Sequence, residues 1–297
     1  MSTGLNVRGE TRVGAQGIVR WGLLLGAALL TVSAPVRAQE YEILAARYAT
    51  VEGFALRSLL PDAPQGETID IAMAIWVIRG DGRVVLFDSG FFRASWLERF
   101  NVRGYERPDQ VLARAGVKAA DVTDVVVSHA HWDHMGGIEL FPNATIWIQD
   151  DEYAYYTGAA WQTGGSNGGI DRADIAHLVE RNMAGKVRLI AGDSVEILPA
   201  LTVFTGARHT YASQYLLVDG SPRFVLASDN AYLYRGIAER RASATFSADD
   251  RAGNAAAIAR MVALAGDASR VIPGHDAEQF RRFPIVADGV VRITPAR

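Results

Sequence analysis

The chain has 297 residues, of which 49% are hydrophobic and 21% charged, with a formal net charge of −3. That is enough for one large core, and the scattered charge excludes the clustered basic patch of a nucleic-acid binder. The absence of cysteine excludes disulfides, thiolate zinc sites, a thiol nucleophile and a lipoprotein anchor.

The first predicted element is a targeting segment. Residues 1–20 carry Arg8, Arg12 and Arg20, with only Glu10 opposing. Residues 21–32 (WGLLLGAALLTV) are an apolar run of signal-peptide length, too short to span a bilayer. Val36-Arg37-Ala38 then places small or apolar residues three and one positions before a cleavage point. The expectation is a signal peptide over residues 1–38 and one mature domain over 39–297. It would be periplasmic or secreted, with no stable membrane anchor.

Residues 71–78 (IAMAIWVI) and 83–87 (RVVLF) flank Gly80-Asp81-Gly82 and predict a hairpin. Residues 108–115 have helical spacing. Residues 122–128 (VTDVVVS) read as a buried strand delivering the chain to His129, and 144–149 (ATIWIQ) as another strand. The glycine-rich stretch 157–169 (TGAAWQTGGSNGG) cannot hold regular structure cheaply. It is either a plain surface loop or a flap over a site, with Trp161 as its apolar contact. Residues 172–183 read as a helix, and 201–205, 214–218 and 223–227 as strands, the last ending at Ser228-Asp229. Ser247 with Asp249 and Asp250 is an N-cap with first-turn acids, opening a helix to about residue 265. A short strand, 270–272, ends at Pro273-Gly274-His275. Strands handing over to loops that bear His or Asp suggest an α/β sandwich.

The chemistry sits in His129-Ala130-His131-Trp132-Asp133-His134. Three imidazoles and a carboxylate in six residues are hard to justify structurally, because packed together they repel when charged and waste polar groups when buried. Nitrogen and oxygen donors of this kind suit zinc. His129 and His131 can face one ion, and Asp133 with His134 a second. Five of the six histidines lie in this motif, at His209 or at His275, and Asp229 ends a predicted strand. His177 stands apart in a predicted helix and reads as an ordinary surface or packing residue.

This motif resembles the His-x-His-x-Asp-His motif of the metallo-β-lactamase superfamily, and Leu86-Phe87-Asp88-Ser89-Gly90 resembles its early strand-Asp-Thr/Ser-Gly element. The resemblance implies a four-layer αβ/βα sandwich with a dinuclear site along one edge. His129, His131 and His209 would hold one Zn2+, and Asp133, His134 and His275 a second. Asp229 would bridge them, and Asp88 would orient ligands from behind. Within the superfamily the look is closest to N-acyl-homoserine lactonases. Asp229-Asn230-Ala231-Tyr232 has the spacing from bridging Asp to catalytic Tyr, and Gly274-His275-Asp276-Ala277-Glu278-Gln279 resembles the Gly-His-Asp-x-Glu-Gln ending. The loop 207–213 departs from the family's Gly-His-(Ser/Thr)-Pro-Gly-His pattern.

The expected activity is therefore metal-dependent hydrolysis of a small-molecule lactone or ester by a metal-bridging hydroxide. Tyr232 would donate to the developing oxyanion, with Tyr234 its rival, and Asp133 would shuttle a proton to the leaving alkoxide. An exported organophosphate hydrolase shares the ligand set. A β-lactamase shares the motif but not normally the bridging carboxylate. A thioester hydrolase, a di-iron redox member, which usually has Glu where His131 stands, and a metal-binding module without turnover complete the alternatives.

Overall fold

The computed structural model describes residues 41–295, so the signal segment expected over residues 1–38 lies outside the described residues. The chain opens with long antiparallel strands β1 (Glu42–Ala55) and β2 (Thr68–Gly80), followed by β3 (Arg83–Phe87). Gly80 pairs with Arg83 across a two-residue turn in which Asp81 and Gly82 have φ of 54° and 68°. Positive φ at both positions is the type I′ geometry whose twist matches the hairpin. Next come α1 (Ala94–Arg99), β4 (Val102–Arg103) and α2 (Pro108–Arg114), whose proline sits at the first turn, where a missing N–H costs nothing.

The chain continues through β5 (Asp124–Val126), α3 (Trp132–Met135), β6 (Thr145–Gln149), α4 (Asp150–Thr157), α5 (Arg172–Met183) and β7 (Val187–Ile190). Strands β3, β5, β6 and β7 run parallel. Parallel neighbours need crossovers, and these carry the helices. In the second half β8 (Val195–Leu198), β9 (Leu201–Thr205), β10 (Gln214–Val218) and β11 (Phe224–Ser228) form an antiparallel meander. Helices α6 (Tyr234–Glu239) and α7 (Arg251–Ala265) lead to β12 (Val271–Pro273), parallel to β11. Finally α8 (Gln279–Arg282) leads into the hairpin β13 (Ile285–Ala287) and β14 (Val290–Arg292), which pairs with β1.

Two sheets result, one of nine strands in the order β13-β14-β1-β2-β3-β5-β6-β7 with β4 beside β1, the other of five in the order β12-β11-β10-β9-β8. The period-2 alternation of their strands assigns each face. Leu44, Ala46, Ile75 and Val77 pack with Leu112, Met135 and Leu178 from the helical layer. Their alternates Ile43, Ala45, Trp76 and Ile78 meet Leu216, Val218, Leu226 and Ile272 of the other sheet. Leu217, Val225 and Ala227 face outward onto Ile258 and Met261 of α7. Three apolar seams thus separate four layers, helix–sheet–sheet–helix, as expected.

The strand expected over 122–128 is shorter than the sequence suggests, because Ser128 turns its N–H away to Asp88 Oδ1 at 2.7 Å. In the glycine-rich stretch, Thr157 ends α4, Ala159–Trp161 is a single 3-10 turn, and residues 162–168 are exposed.

Candidate metal centre

Every candidate ligand lies at or near a strand end on one rim of the sandwich. Residues 129–134 follow β5, His209 follows β9, Asp229 follows β11 and His275 follows β12. The carboxyl ends of parallel strands are where an open α/β sheet leaves a crevice. The backbone bends sharply there. Asp88, Arg208 and Ser228 have φ of 62°, 65° and 47°, and each adjoins a candidate ligand or contacts one. Strain of this kind persists only where the surroundings enforce it.

The motif turn is held from behind. The Ser89 hydroxyl and N–H both donate to the His134 carbonyl, at 2.8 and 2.7 Å, and Tyr48 donates to the Asp133 carbonyl at 2.9 Å. Gly137 is required by close approach, since a Cβ there would lie 2.0 Å from the Ser89 carbonyl oxygen. Trp132 stacks against both Trp96 and Phe100, with ring centroids 4.7 and 5.2 Å away. It anchors the motif in the core.

Two groups of ligand atoms form. In the first, His129 Nε2 and His131 Nδ1 are 3.0 Å apart, His131 Nδ1 and His209 Nε2 3.1 Å, and Asp229 Oδ2 lies 3.7 and 3.4 Å from His129 and His209. In the second, Asp133 Oδ2 lies 3.4 and 3.5 Å from His134 and His275 Nε2, and Asp229 Oδ1 lies 3.3 and 3.1 Å from the same nitrogens. A tetrahedron with metal–ligand bonds of about 2.0–2.1 Å has edges of about 3.3 Å. The edges measured in both groups, 3.0–3.7 Å, are of the length a four-coordinate cation needs, and the two oxygens of Asp229 divide between the groups. Every site residue expected from the sequence except Tyr232 falls into one group or the other.

The opposite ring nitrogens show how these atoms are prepared for a cation. His209 Nδ1 donates to the Ala244 carbonyl at 3.1 Å and His275 Nδ1 to the Ala72 carbonyl at 2.9 Å. Their Nε2 atoms then carry bare lone pairs aimed into the cage. Asp88 Oδ2 takes both Ser128 and Ser228 hydroxyls, so the Ser128 oxygen is left to accept from His129 Nδ1 at 2.8 Å. The same carboxylate oxygen accepts from His134 Nδ1 at 2.8 Å. His134 Nε2 and Asp229 Oδ1 are buried without hydrogen-bond partners. Converging acceptors with their outer nitrogens fixed are the arrangement of metal-bound imidazoles.

The electrostatics agree. Burial, then the neighbouring histidines, lowers His129 well below the ordinary range and brings His131 down to about 3, so both are neutral donors. On the other side burial opposes charge on His134 and His275, but Asp229 and Asp133 outweigh it and raise both. The carboxylates thus demand positive charge here. Against the effect of its own burial, Asp229 is held well below the usual carboxylate range by His134 and His275.

Tyr232 lies beside the first group, with its hydroxyl 3.3 Å from His209 Nδ1 and its ring stacked on His275 at 5.8 Å. Burial pushes its phenol well up, so it remains a proton donor. Tyr234 is turned elsewhere, its ring under Arg282 at 3.8 Å in the seam beneath α7. In the glycine-rich stretch Gly169 touches the site: a Cβ there would lie 2.9 Å from His131 Cδ2, and its carbonyl accepts from the Trp132 N–H at 2.9 Å. Trp161 instead packs against Arg172, 5.1 Å from the ring centroid. His177 pairs with Glu180 at 3.6 Å within α5. Sequence reasoning missed Glu152, Ser128 and Ser228, whose types carry no metal pattern.

Fold and site together define an α/β sandwich carrying two candidate metal groups that share one carboxylate. The metallo-beta-lactamase superfamily profile matches residues 74–275, and the chain belongs to that superfamily. It is 30% identical over 179 residues to N-acyl homoserine lactonase AttM of Rhizobium radiobacter, a match covering 59% of this chain and 65% of the relative. A match to AttM of Agrobacterium fabrum is 49% identical over 57 residues, 19% of this chain and 21% of that one. The chain thus aligns with less than two thirds of the length of these curated relatives. The structure of a single-substitution mutant of B. thuringiensis AiiA, with N-decanoyl-L-homoserine bound at its active site, shares the fold. Its TM-score is 0.66 at 19% identity, covering 84% of this chain and 98% of that one.

Proposed function

We propose that this protein hydrolyses a lactone, of the N-acyl-homoserine-lactone kind or a related small ester, at a pair of zinc ions. The observation that carries it is the division of the Asp229 oxygens between two groups of candidate ligand atoms, with the Tyr232 hydroxyl at the edge of the first. The relatives named as lactonases supply the substrate class. The all-nitrogen-and-oxygen donor set fits zinc.

His129, His131, His209 and Asp229 would hold one ion, and Asp133, His134, His275 and Asp229 the other. When bound, such a pair supplies an acidified water and polarises the substrate carbonyl. The chain's own residues do the rest. Tyr232 donates its hydrogen to the oxygen on which charge develops. Asp133 is buried yet held below the usual carboxylate range by His134, so it is ionised and can take a proton and pass it to the leaving alkoxide. Asp88, held by Ser128, Ser228 and His134, fixes the tautomers of His129 and His134.

The test is elemental analysis together with turnover of the zinc-loaded protein on N-acyl homoserine lactones, a simple aryl ester, a phosphotriester and a chromogenic cephalosporin. Two equivalents of zinc and preferred lactone turnover support the reading. A phosphotriester or cephalosporin preference replaces it, and metal without any turnover indicates a binding module. Export is part of the same proposal and rests on residues 1–38. N-terminal sequencing of protein from the cell envelope and medium should begin at Gln39, and a start at or before Met1 would refute processing.

A further inference from the structure

A carboxylate that neither metal group uses lies directly behind the first. Glu152, in the first turn of α4, is 1% exposed. Its Oε1 accepts from the Ala130 N–H at 2.9 Å and the Thr210 hydroxyl at 2.7 Å, and its Oε2 accepts from the Ala212 N–H at 2.6 Å. Ala130 sits between His129 and His131, and Thr210 follows His209. One side chain therefore joins the two segments that supply all three imidazoles of the first group, and those segments come from different sheets.

None of the three donors is a cation, and burial pushes the Glu152 carboxyl up to about 7 in spite of them. A buried acid held only by neutral donors costs stability that an apolar residue would not. Such a cost, next to a functional centre, calls for a positional reason. The second group does not depend on Glu152. Asp133 and His134 are braced by Tyr48, Ser89 and Asp88, and His275 by Ala72.

Building on the two-metal reading, we propose that Glu152 is a positioning residue that sets the distance between His131 and His209 and thereby the affinity of the first metal group alone. With the clamp intact, His131 Nδ1 and His209 Nε2 are 3.1 Å apart. In Glu152→Gln the isosteric amide must turn its NH2 toward one of the N–H or O–H donors in either orientation. The segments then separate while packing volume is kept.

The experiment is Co2+ titration, followed by visible absorption, in two single-group backgrounds. His275→Ala leaves the first group intact and His209→Ala the second. Adding Glu152→Gln should weaken Co2+ binding about 10- to 100-fold in the His275→Ala background and less than about threefold in the other, the scale of lost outer-sphere support. Thr210→Val, which removes one donor of three, should show the same selectivity with a smaller loss. It decides the matter if the glutamine variant does not fold. Equal weakening in both backgrounds, or none in the first, overturns the positioning role. Failure of the unmutated protein to bind two equivalents of Co2+ would instead remove the metal reading on which the role rests.

Discussion

At the scale of single residues, the site separates side chains of the same type by what faces them. Tyr232 and Tyr234 are two positions apart, yet only Tyr232 reaches His209. The Tyr234 hydroxyl is buried with no hydrogen-bond partner. Removing the Tyr232 hydroxyl as Tyr232→Phe keeps the ring against His275 and, under the proposed mechanism, would delete one donor to a developing oxyanion. That loss is expected to lower kcat on a lactone by about 100-fold with two metals retained, since single oxyanion donors contribute on this order. Tyr234→Phe should leave kcat unchanged, because a buried hydroxyl without a partner contributes nothing to lose. Steady-state kinetics beside elemental analysis reads both. Equal rates for Tyr232→Phe and the parent protein would take Tyr232 out of the chemistry. The sequence could place both tyrosines near Asp229 but could not choose between them, since the choice depends on how the turn after β11 rotates their side chains.

At the scale of elements, the strand-to-loop handovers were legible because they carry both signals at once. A β-branched run announces the strand, and His or Asp at its end announces the site. The elements missed lacked such contrast. β1 is buried on both faces over much of its length, so EILAARYATVEGFA shows no clean alternation. Helix α4 (DDEYAYYT) has no apolar stripe, and its buried Glu152 reads as a surface acid. Handovers also impose close approaches that substitutions can test. At Gly274, between β12 and His275, a Cβ would lie 2.6 Å from Asp229 Oδ1 and 2.7 Å from the Ser228 carbonyl carbon. Gly274→Ala should displace the shared carboxylate, lower metal stoichiometry and cost at least about 1–3 kcal/mol, the range for overpacking. Thermal melts with metal analysis would show an unaltered protein if the rim can yield. Another element-level effect concerns α5, whose first-turn Asp174 accepts from Arg93 Nε at 2.8 Å, while burial pushes its carboxyl up to about 7. A carboxyl that protonates higher in the folded than in the unfolded chain stabilises most at low pH. That contribution drains away as pH rises from about 4 to about 7, by up to about 1.4 kcal/mol per unit. Urea unfolding of the parent and Asp174→Asn should therefore diverge in slope across this window and run parallel above it. Parallel slopes throughout would mean that Arg93 keeps the carboxylate ionised.

At the scale of the whole molecule, the sequence could order the candidate ligands but not show that they come from both sheets, which only the tertiary structure displays. Residues 129–134 leave the nine-stranded sheet, whereas His209, Asp229 and His275 leave the five-stranded one. The sheets otherwise meet through the apolar seam around Trp76, Phe87 and Leu226, which is indifferent to metal. Cations bound by both groups would therefore act as clamps across that seam, closing it at one rim. Because the unfolded chain cannot assemble seven ligands from four segments, binding free energy becomes folding free energy. Above the dissociation constant, each tenfold rise in free metal should add about 1.4 kcal/mol of stability per bound ion. Unfolding free energies extrapolated from urea titrations in metal buffers should rise linearly with the logarithm of free zinc, with a slope of about 2.8 kcal/mol per decade when both groups fill. In His275→Ala the slope should halve, since Asp133, His134 and the shared Asp229 leave that group one ligand short. Chelation should also loosen the rim before the core. Amide exchange would then quicken first in residues 129–137 and 207–213, while β2 and β10 stay protected until global unfolding. Unfolding free energies that ignore free zinc, or exchange that quickens uniformly through both sheets, would show that the seam alone holds the layers together and that the site only rides on it.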